Sequence, residues 1–267
     1  YAYQVKRRQY DHKSMYFHPI NKTHSAAEFI LSSMRADRKF TPEEAALLDT
    51  CLILHAEHGG GNNSSFACRV LSSSGTDTYS AIAAAIGSLK GPRHGGANIK
   101  TVEMLGHLKE GIKDYKDDEE VAAFLTKLIR KEAGDKSGLI YGMGHAIYTL
   151  SDPRATILRD QADKLAHEKG FGEDFDLLRS VERLTPSVFL KEKGIDKPMC
   201  ANVDLYSGLV YRTLGISDDL FTPLFAVARI AGWSAHRVEE FISGGKIMRP
   251  AYRAVYEKAK YIPLNER

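Results

Sequence analysis

Long apolar runs are missing from this 267-residue chain. No stretch approaches the ~20 apolar residues that cross a bilayer, which argues against a membrane protein. The opening residues, YAYQVKRRQYDHK, have no apolar core of the kind that a secretory signal peptide needs, so we expect no such signal here. Hydrophobic residues still make up 43% and charged residues 27%, which is typical of a soluble globular protein with one large or two modest domains.

The chain also has few cysteines and a small net charge. Cys51, Cys68 and Cys200 are too few and too widely spaced for a disulfide framework or a CxxC metal site, which favours a reducing, cytoplasmic setting. The net charge of +3 is too small to indicate a nucleic-acid partner. The tight basic cluster at 6–8 is typical of a solvent-exposed surface. The alternative interpretation is that it binds a phosphate-bearing ligand.

Strand signals are weak, whereas helical signals recur along the chain. Thr41 begins a capping box followed by Pro42, and the helix after it should end before the glycines at 59–61. Asp77 and Pro153 mark two further helix starts. The spacing of apolar residues predicts helices over 119–134, 153–170, 173–193, 203–214, 218–230 and 235–242. We therefore predict an all-α fold.

Two histidine-bearing segments are candidates for chemistry. His55 and His58 are three residues apart near a helix end, where they favour hydrogen bonds to the helix carbonyls over a metal site, since no HExxH pattern is present. His94 lies in the loop GPRHGGAN, ahead of a helix that starts near Gly96. A helix N-terminus disfavours imidazolium, so His94 is either a neutral hydrogen-bond donor or part of a plain glycine-rich connection.

Two further segments carry His145, Arg154 and Asp204. His145 and Arg154 occur in YGMGHAIYTLSDPR, where the arginine is either a carboxylate ligand or a surface residue of a helix's first turn. Asp204 occurs in NVDLYSG between apolar neighbours, and favours a helix cap over a catalytic base when it is considered alone.

These segments together carry a family resemblance. The strings GPRHGGAN, GMGHAIYTLSDPR and NVDLYSGLVY, with HAEHGGGNNSSF and LFAVARIAGW, resemble the signature regions of citrate synthases in the same order and spacing. The resemblance runs from about residue 45 to the C-terminus. It implies an acyltransferase that condenses acetyl-CoA with oxaloacetate and water to give citrate and CoA.

The resemblance also implies roles for single residues. Asp204 matches the base that removes a proton from the acetyl-CoA methyl group, His94 the donor to the thioester oxygen, and His145 the donor to the oxaloacetate carbonyl. The residues that match oxaloacetate ligands are His58, Arg154, Arg229 and Arg249. The last of these is usually contributed across a homodimer interface.

The resemblance further implies a small helical domain at 97–215, inserted in a large domain formed by 1–96 and 216–267. The chain looks like the C-terminal portion of such an enzyme, with the first part of the large domain missing. No basic residue lies between His145 and Asp152, where relatives hold CoA phosphates, and Lys90 and Arg93 are nearby substitutes. We expect no cofactor and no metal.

Three alternatives remain at this stage. A 2-methylcitrate synthase would use propionyl-CoA through the same groups, and one extra methylene changes binding by only about 1–3 kcal/mol. The chain could instead be a catalytically inactive fragment. A metal-binding protein that uses the histidines is the least favoured.

Overall fold

The computed structural model describes residues 2–144, 148, 150–194, 198–253, 255–256 and 259–267. These residues form helices and no strand, which confirms the all-α prediction. None of the described helices is both long enough and apolar enough to span a membrane. The helices are α1 (Ala2–Gln9), α2 (Ala26–Met34), α3 (Pro42–Ala56), α4 (Asn63–Ser73), α5 (Thr78–Leu89), α6 (Ala97–Gly111), α7 (Asp118–Ile129), α8 (Pro153–Glu168), α9 (Gly172–Lys193), α10 (Asp204–Thr213) and α11 (Phe221–Ser243).

The predicted helix starts are confirmed by their cap hydrogen bonds. The Thr41 hydroxyl accepts the Glu44 amide at 3.2 Å, and the Glu44 carboxylate accepts the Thr41 amide at 2.9 Å. Asp77 accepts the Ser80 amide at the start of α5. Such caps satisfy amides that have no partner inside the helix, so they fix where α3 and α5 begin.

Two predicted boundaries were wrong. Helix α7 ends at Ile129 rather than near Gly134, because Lys131 has a φ of 66°, which leaves the helical region. Residues 221–230 and 235–242 lie in one continuous helix, α11, and Asp218–Leu220 form a 3-10 turn before it. Gly232 lies inside α11 because the helix there meets the end of α3. A Cβ at this position would lie 2.3 Å from the carbonyl oxygen of Ala56.

Two apolar clusters hold the helices together. The larger cluster takes side chains from α2, α3 and α6–α10, together with the first turns of α11. The smaller one joins α4, α5 and α11 through Cys68, Phe225 and Trp233. The larger cluster contains both Leu48 and Leu158, so it draws on both proposed domains, and the domain boundary stays a prediction. Helix α11 packs against α3, α4 and α5, and thereby carries Arg229 to the end of α3.

Candidate active site

His94 lies in a tight loop between α5 and α6. The loop is closed by backbone hydrogen bonds from His94 to Gly91 and from Gly95 to Leu89. The Thr222 hydroxyl of α11 donates to the Gly95 carbonyl at 2.9 Å, so α11 holds the loop from the other side. The loop that carries His94 is therefore held on both sides by hydrogen bonds to α5 and α11.

The His94 ring is held by a buried hydroxyl. Its Nε2 lies 2.9 Å from the Ser64 hydroxyl, which also accepts the Trp233 indole N–H at 3.2 Å. The remaining ring nitrogen, Nδ1, is therefore the one available to a ligand. Burial lowers the pKa of His94, and the positive charge of Arg229 lowers it further, so the ring is neutral near pH 7.

Arg229 is fully buried, which is rare for a guanidinium. Its Nε donates to the carbonyl oxygen of His55, and its guanidinium lies 4.7 Å from the centre of the Phe225 ring. No described residue accepts a hydrogen bond from Nη1. Burial lowers the pKa of Arg229 to about 10, so it remains charged near pH 7. A buried cation with an unused donor is suited to an anionic ligand.

The two histidines of the α3 segment have separate environments. His55 is buried, and its Nδ1 lies 2.7 Å from the Cys51 carbonyl, which confirms for His55 the hydrogen bond to a helix carbonyl. Burial lowers the pKa of His55 to about 4, so this ring is neutral. His58 lies beyond the helix end, where its ring stacks on Tyr148 with 6.4 Å between centres. Among the described residues, no group of three potential metal ligands occurs.

Arg154 lies in the first turn of α8, beside its capping residue Asp152. The buried Asp152 carboxylate accepts the Arg154 amide at 3.0 Å and the guanidinium through Nε at 3.0 Å and Nη2 at 2.8 Å. The Arg154 guanidinium also lies 5.8 Å from the centre of the Tyr148 ring. Arg154 is therefore not an exposed surface residue: it is held by an acid and an aromatic ring, and it faces the same side as His58.

Asp204 is the first residue of α10, but it does not cap the helix. The N-cap position is Val203, and the Asp204 side chain forms no cap hydrogen bond, so the interpretation of Asp204 as a cap was wrong. The Asp204 amide instead donates to Oδ1 of Asn202 at 3.0 Å. Burial raises the pKa of the Asp204 carboxyl to about 6, and Asp152 adds to this, while the charges of Arg154 and Arg229 oppose it. A pKa raised by burial, in a carboxyl beside cations, is typical of a catalytic carboxylate.

A short backbone pairing places the start of α10. Met143 and Ala201 form an antiparallel bridge, and Asn202 donates through its side chain to the Gly144 carbonyl at 2.9 Å. Gly142 has a φ of +80°, and a Cβ there would lie 2.7 Å from the Cα of Leu205. The glycines before His145 thus let this segment lie directly against the helix that carries Asp204.

The predicted residues converge only in part. Arg229 acts electrostatically on both His94 and Asp204, and Arg154 acts on Asp204, so these four side chains share one site. His145 lies outside the described residues. Of the two other predicted ligands, His58 shares the Tyr148 ring with Arg154, whereas Arg249 is exposed and lies away from this group within the chain.

Arg249 lies beside the end of α4, where the amide of the preceding residue, Met248, donates to Ser73. Sequence reasoning missed Ser64, Phe225, Tyr148 and Asp152, which hold the predicted residues in place. All four lie inside the quoted motifs, and that position is the sequence feature that could have identified them.

Comparison with known proteins points to one family. The family "Citrate synthase, C-terminal domain" matches residues 1–251, so the similarity begins well before residue 45. A citrate synthase of Synechocystis is 39% identical over 93% of this chain and 58% of its own length. The citrate synthase of Acidithiobacillus ferridurans is 40% identical over 91% of this chain and 58% of its own length. The chain thus spans about three fifths of the length of these relatives.

Solved structures show the same relationship. Citrate synthase from Thermoplasma acidophilum, solved with carboxymethyl coenzyme A and oxaloacetate, is 30% identical with a TM-score of 0.77 over 98% of this chain and 65% of its own. The Thermotoga maritima enzyme is 31% identical with a TM-score of 0.77 over 100% of this chain and 66% of its own. The helices, the grouped His94, Asp204, Arg154 and Arg229, and these similarities lead to one conclusion: this chain belongs to the citrate synthase family.

Proposed function

We propose that the chain carries the active site of a citrate synthase, which condenses acetyl-CoA with oxaloacetate and water to give citrate and CoA. The observation that carries the proposal is the grouping of a carboxyl of raised pKa, a neutral histidine and a buried arginine. Such a set can remove a proton from a very weak carbon acid, stabilise the oxygen that gains charge, and hold an anionic acceptor.

The first step is removal of a methyl proton from acetyl-CoA. The Asp204 carboxylate takes the proton, and the electron pair of the broken C–H bond turns the thioester into an enolate, whose negative charge lies on the former carbonyl oxygen. His94 donates a hydrogen bond to the thioester oxygen from Nδ1, which carries the proton when the Ser64 hydroxyl donates to Nε2. The neutral state of His94 matters, because a neutral ring can donate to the oxygen without fully protonating it.

The second step joins the two substrates. The methyl carbon bonds to the keto carbon of oxaloacetate, and the keto oxygen takes a proton to become the hydroxyl of citrate. By resemblance His145 supplies that proton or hydrogen bond. Arg229 and Arg154, with His58, would hold the two carboxylates of oxaloacetate. Water then cleaves the thioester and CoA leaves as a thiol. Apart from its two substrates, this chemistry needs no cofactor.

The test is release of CoA thiol from acetyl-CoA and oxaloacetate, followed with a thiol reagent. We expect release from the unchanged chain and its loss in Asp204→Asn, with oxaloacetate binding retained. Arg154→Ala should instead weaken oxaloacetate binding. Asp118→Asn is the matched control, because Asp118 is also the first residue of its helix but its side chain is about half exposed and paired with Arg183.

Three outcomes would contradict the proposal. The unchanged chain may bind oxaloacetate without releasing thiol, which would make it an inactive portion of the enzyme. Near-normal turnover in Asp204→Asn would show that another group is the base. Propionyl-CoA consumed as fast as acetyl-CoA, or faster, would favour a 2-methylcitrate synthase.

We further infer a cytoplasmic homodimer in which Arg249 enters the partner's site. Arg249 is exposed, and large apolar side chains such as Tyr79 on α5 and Phe66 on α4 are exposed as well. The cysteines are free thiols, which suits a reducing compartment. Mixing inactive Asp204→Asn with inactive Arg249→Ala should restore activity, because a mixed dimer has one site that combines an intact Asp204 with an intact Arg249 from the partner. After random exchange about half of the dimers are mixed, so up to about a quarter of all sites are intact. No recovery on mixing, with dimers present, would contradict the exchange of Arg249.

A further inference from the structure

Glu57 lies at the centre of a group of contacts that the proposed chemistry does not use. It is the first residue after α3, its backbone is extended, and it directly precedes His58. Its side chain turns back on the following loop, because Oε1 accepts the His58 amide at 2.8 Å and the Gly59 amide as well. One carboxylate oxygen therefore holds two consecutive amides of the loop that carries His58.

The same carboxylate oxygen is held from the other side by α11. Nε2 of His236 lies 3.0 Å from Oε1 of Glu57. Since an ionised carboxylate only accepts hydrogen bonds, Nε2 is the donor in this contact. The His236 side chain is largely covered, with 16% of its surface exposed, against 45% for Glu57. The contact thus ties the loop after α3 to a covered side chain of a different helix.

Two glycines leave room for this pair. Gly232 precedes His236 by one turn of α11, and a Cβ there would collide with Oε2 of Glu57. Gly60 lies in the loop itself, and a Cβ there would lie 3.2 Å from Cε1 of His236. The carboxylate therefore packs against the backbone of α11, and the imidazole packs against the backbone of the loop.

The pair also lies near the buried guanidinium of Arg229, which is two turns before His236 on α11. Burial lowers the pKa of Arg229, and the negative charge of Glu57 opposes that effect. Partial burial acts to raise the pKa of Glu57 itself, but the hydrogen bonds from His236 and the loop amides hold it below its ordinary value, so Glu57 is ionised near pH 7. The end of α3 is thus joined to α11 twice, by Arg229 at the His55 carbonyl and by His236 at Glu57.

We propose that Glu57, anchored by His236, is a positioning residue for oxaloacetate. By holding the backbone of His58 against α11, it sets the placement of His58 relative to Arg229, so that both can bind one dicarboxylate. The inference rests on the proposed function, because it takes these two residues as oxaloacetate ligands.

The contacts of His58 explain why its backbone needs this support. Its ring stacks on the Tyr148 ring, with 6.4 Å between the centres. Stacking sets the separation of two rings but resists sliding only weakly, because offset arrangements are close in energy. The amide hydrogen bond to Glu57 is directional and charge-assisted, so it fixes what the stacking leaves free.

The first test compares Glu57→Gln with Glu239→Gln. Glu57→Gln keeps the shape of the side chain but removes the charged acceptor. We expect the oxaloacetate dissociation constant, measured by calorimetry, to rise about tenfold or more, as the loss of a hydrogen bond to a charged group implies. In steady-state assays, kcat and the KM for acetyl-CoA at saturating oxaloacetate should stay within about threefold, because His94 and Asp204 are untouched.

Glu239→Gln is the matched control. Glu239 Oε2 lies 3.2 Å from Nδ1 of the same His236, but its side chain is 70% exposed, and its contacts in the described part of the chain do not reach the loop at 57–61. The control removes one negative charge beside the same imidazole. Its oxaloacetate dissociation constant should stay within about twofold of that of the unchanged chain.

A second pair of variants separates the hydrogen bond of His236 from its packing. In His236→Gln the side-chain amide can still donate to Glu57, whereas His236→Leu fills the space without a donor. We expect His236→Leu to weaken oxaloacetate binding about fivefold or more and His236→Gln to restore it to within about twofold. The double variant Glu57→Gln/His236→Leu should bind about as weakly as Glu57→Gln alone, because both changes break one contact.

A readout without substrate tests the loop directly. Hydrogen exchange of the His58 and Gly59 amides, followed by nuclear magnetic resonance, should be faster by about tenfold or more in Glu57→Gln and unchanged in Glu239→Gln. Equal exchange in Glu57→Gln and the unchanged chain would overturn the loop contact.

The binding data decide the role. An oxaloacetate dissociation constant unchanged in Glu57→Gln would overturn the positioning role, as would equal losses for both substrates together with a lower urea midpoint, which a purely structural contact would give. Failure of the proposed function looks different, because the unchanged chain itself would then bind no oxaloacetate. That result would overturn the substrate effect along with the proposed function, and the exchange rates would still decide the loop contact.

Discussion

The raised pKa of Asp204 predicts that its removal stabilises the fold. In Asp204→Asn an amide of the same shape replaces the carboxyl, so packing is preserved while the titratable group is lost. The carboxyl titrates at about 6 in the folded chain, against 3.8 as the ordinary value. Each pKa unit corresponds to about 1.36 kcal/mol, so ionisation of Asp204 costs the folded state about 3 kcal/mol at most. Partial exposure to solvent reduces the expected cost to about 1–3 kcal/mol.

The sign of the effect depends on pH. Between pH 3.8 and 6 the folded chain holds more protons at Asp204 than the unfolded chain does, so stability falls as pH rises through this window. Above pH 6 the full cost is present. Asp204→Asn should therefore be more stable than the unchanged chain by about 1–3 kcal/mol at pH 8, with most of this gain absent at pH 4.

The assay is urea unfolding followed by circular dichroism at pH 4 and pH 8. Asp118→Asn is the control, because the Arg183 guanidinium lowers the pKa of Asp118 and its loss should give no gain at pH 8. Destabilisation of Asp204→Asn at pH 8 would refute the reasoning. That result would mean that the carboxylate stabilises the first turn of α10 through the helix dipole, as a structural residue does.

Three other substitutions test the supports of the site by urea unfolding. Ser64→Ala should cost about 1–3 kcal/mol, because it leaves the buried indole N–H of Trp233 without an acceptor. Gly142→Ala should cost about 1–3 kcal/mol, since it forces a Cβ against Leu205 at a positive φ. Glu44→Gln should cost about 3–5 kcal/mol at pH 7, because the buried Glu44 carboxylate pairs with two cations. That loss should shrink as pH falls from 4.5 towards 2, where the native carboxylate is itself protonated.

Local sequence signals predicted the helix starts that are fixed by a capping residue. Thr41 and Asp77 were predictable because a cap residue acts on amides within three positions of it. Helix α11 was not, because its continuity through Gly232 depends on the close approach of α3, which is distant in sequence. The capping box of Ser25 and Glu28 that starts α2 is a local signal of the same kind.

The site was predictable by motif but not by physical chemistry alone. In isolation Asp204 favours a cap, and only the three-dimensional structure shows that its side chain forms no cap hydrogen bond. The pKa values of Asp204 and His94 depend on burial and on Arg229, which no local pattern reveals. His145 and Arg249 stay predictions: the first lies outside the described residues, and the second lies away from the site.

The two arginines of the site have different partners, and the difference bears on which acids the site accepts. The described hydrogen-bond acceptor of Arg229 is a neutral carbonyl, whereas Arg154 forms an ion pair with the carboxylate of Asp152. A substrate with one carboxylate could bind Arg229, but it would offer Arg154 no new anion in place of Asp152. Only a second carboxylate supplies a replacement partner. On the proposed function, we expect this exchange of one anion for another at Arg154 to favour dicarboxylic over monocarboxylic keto acids.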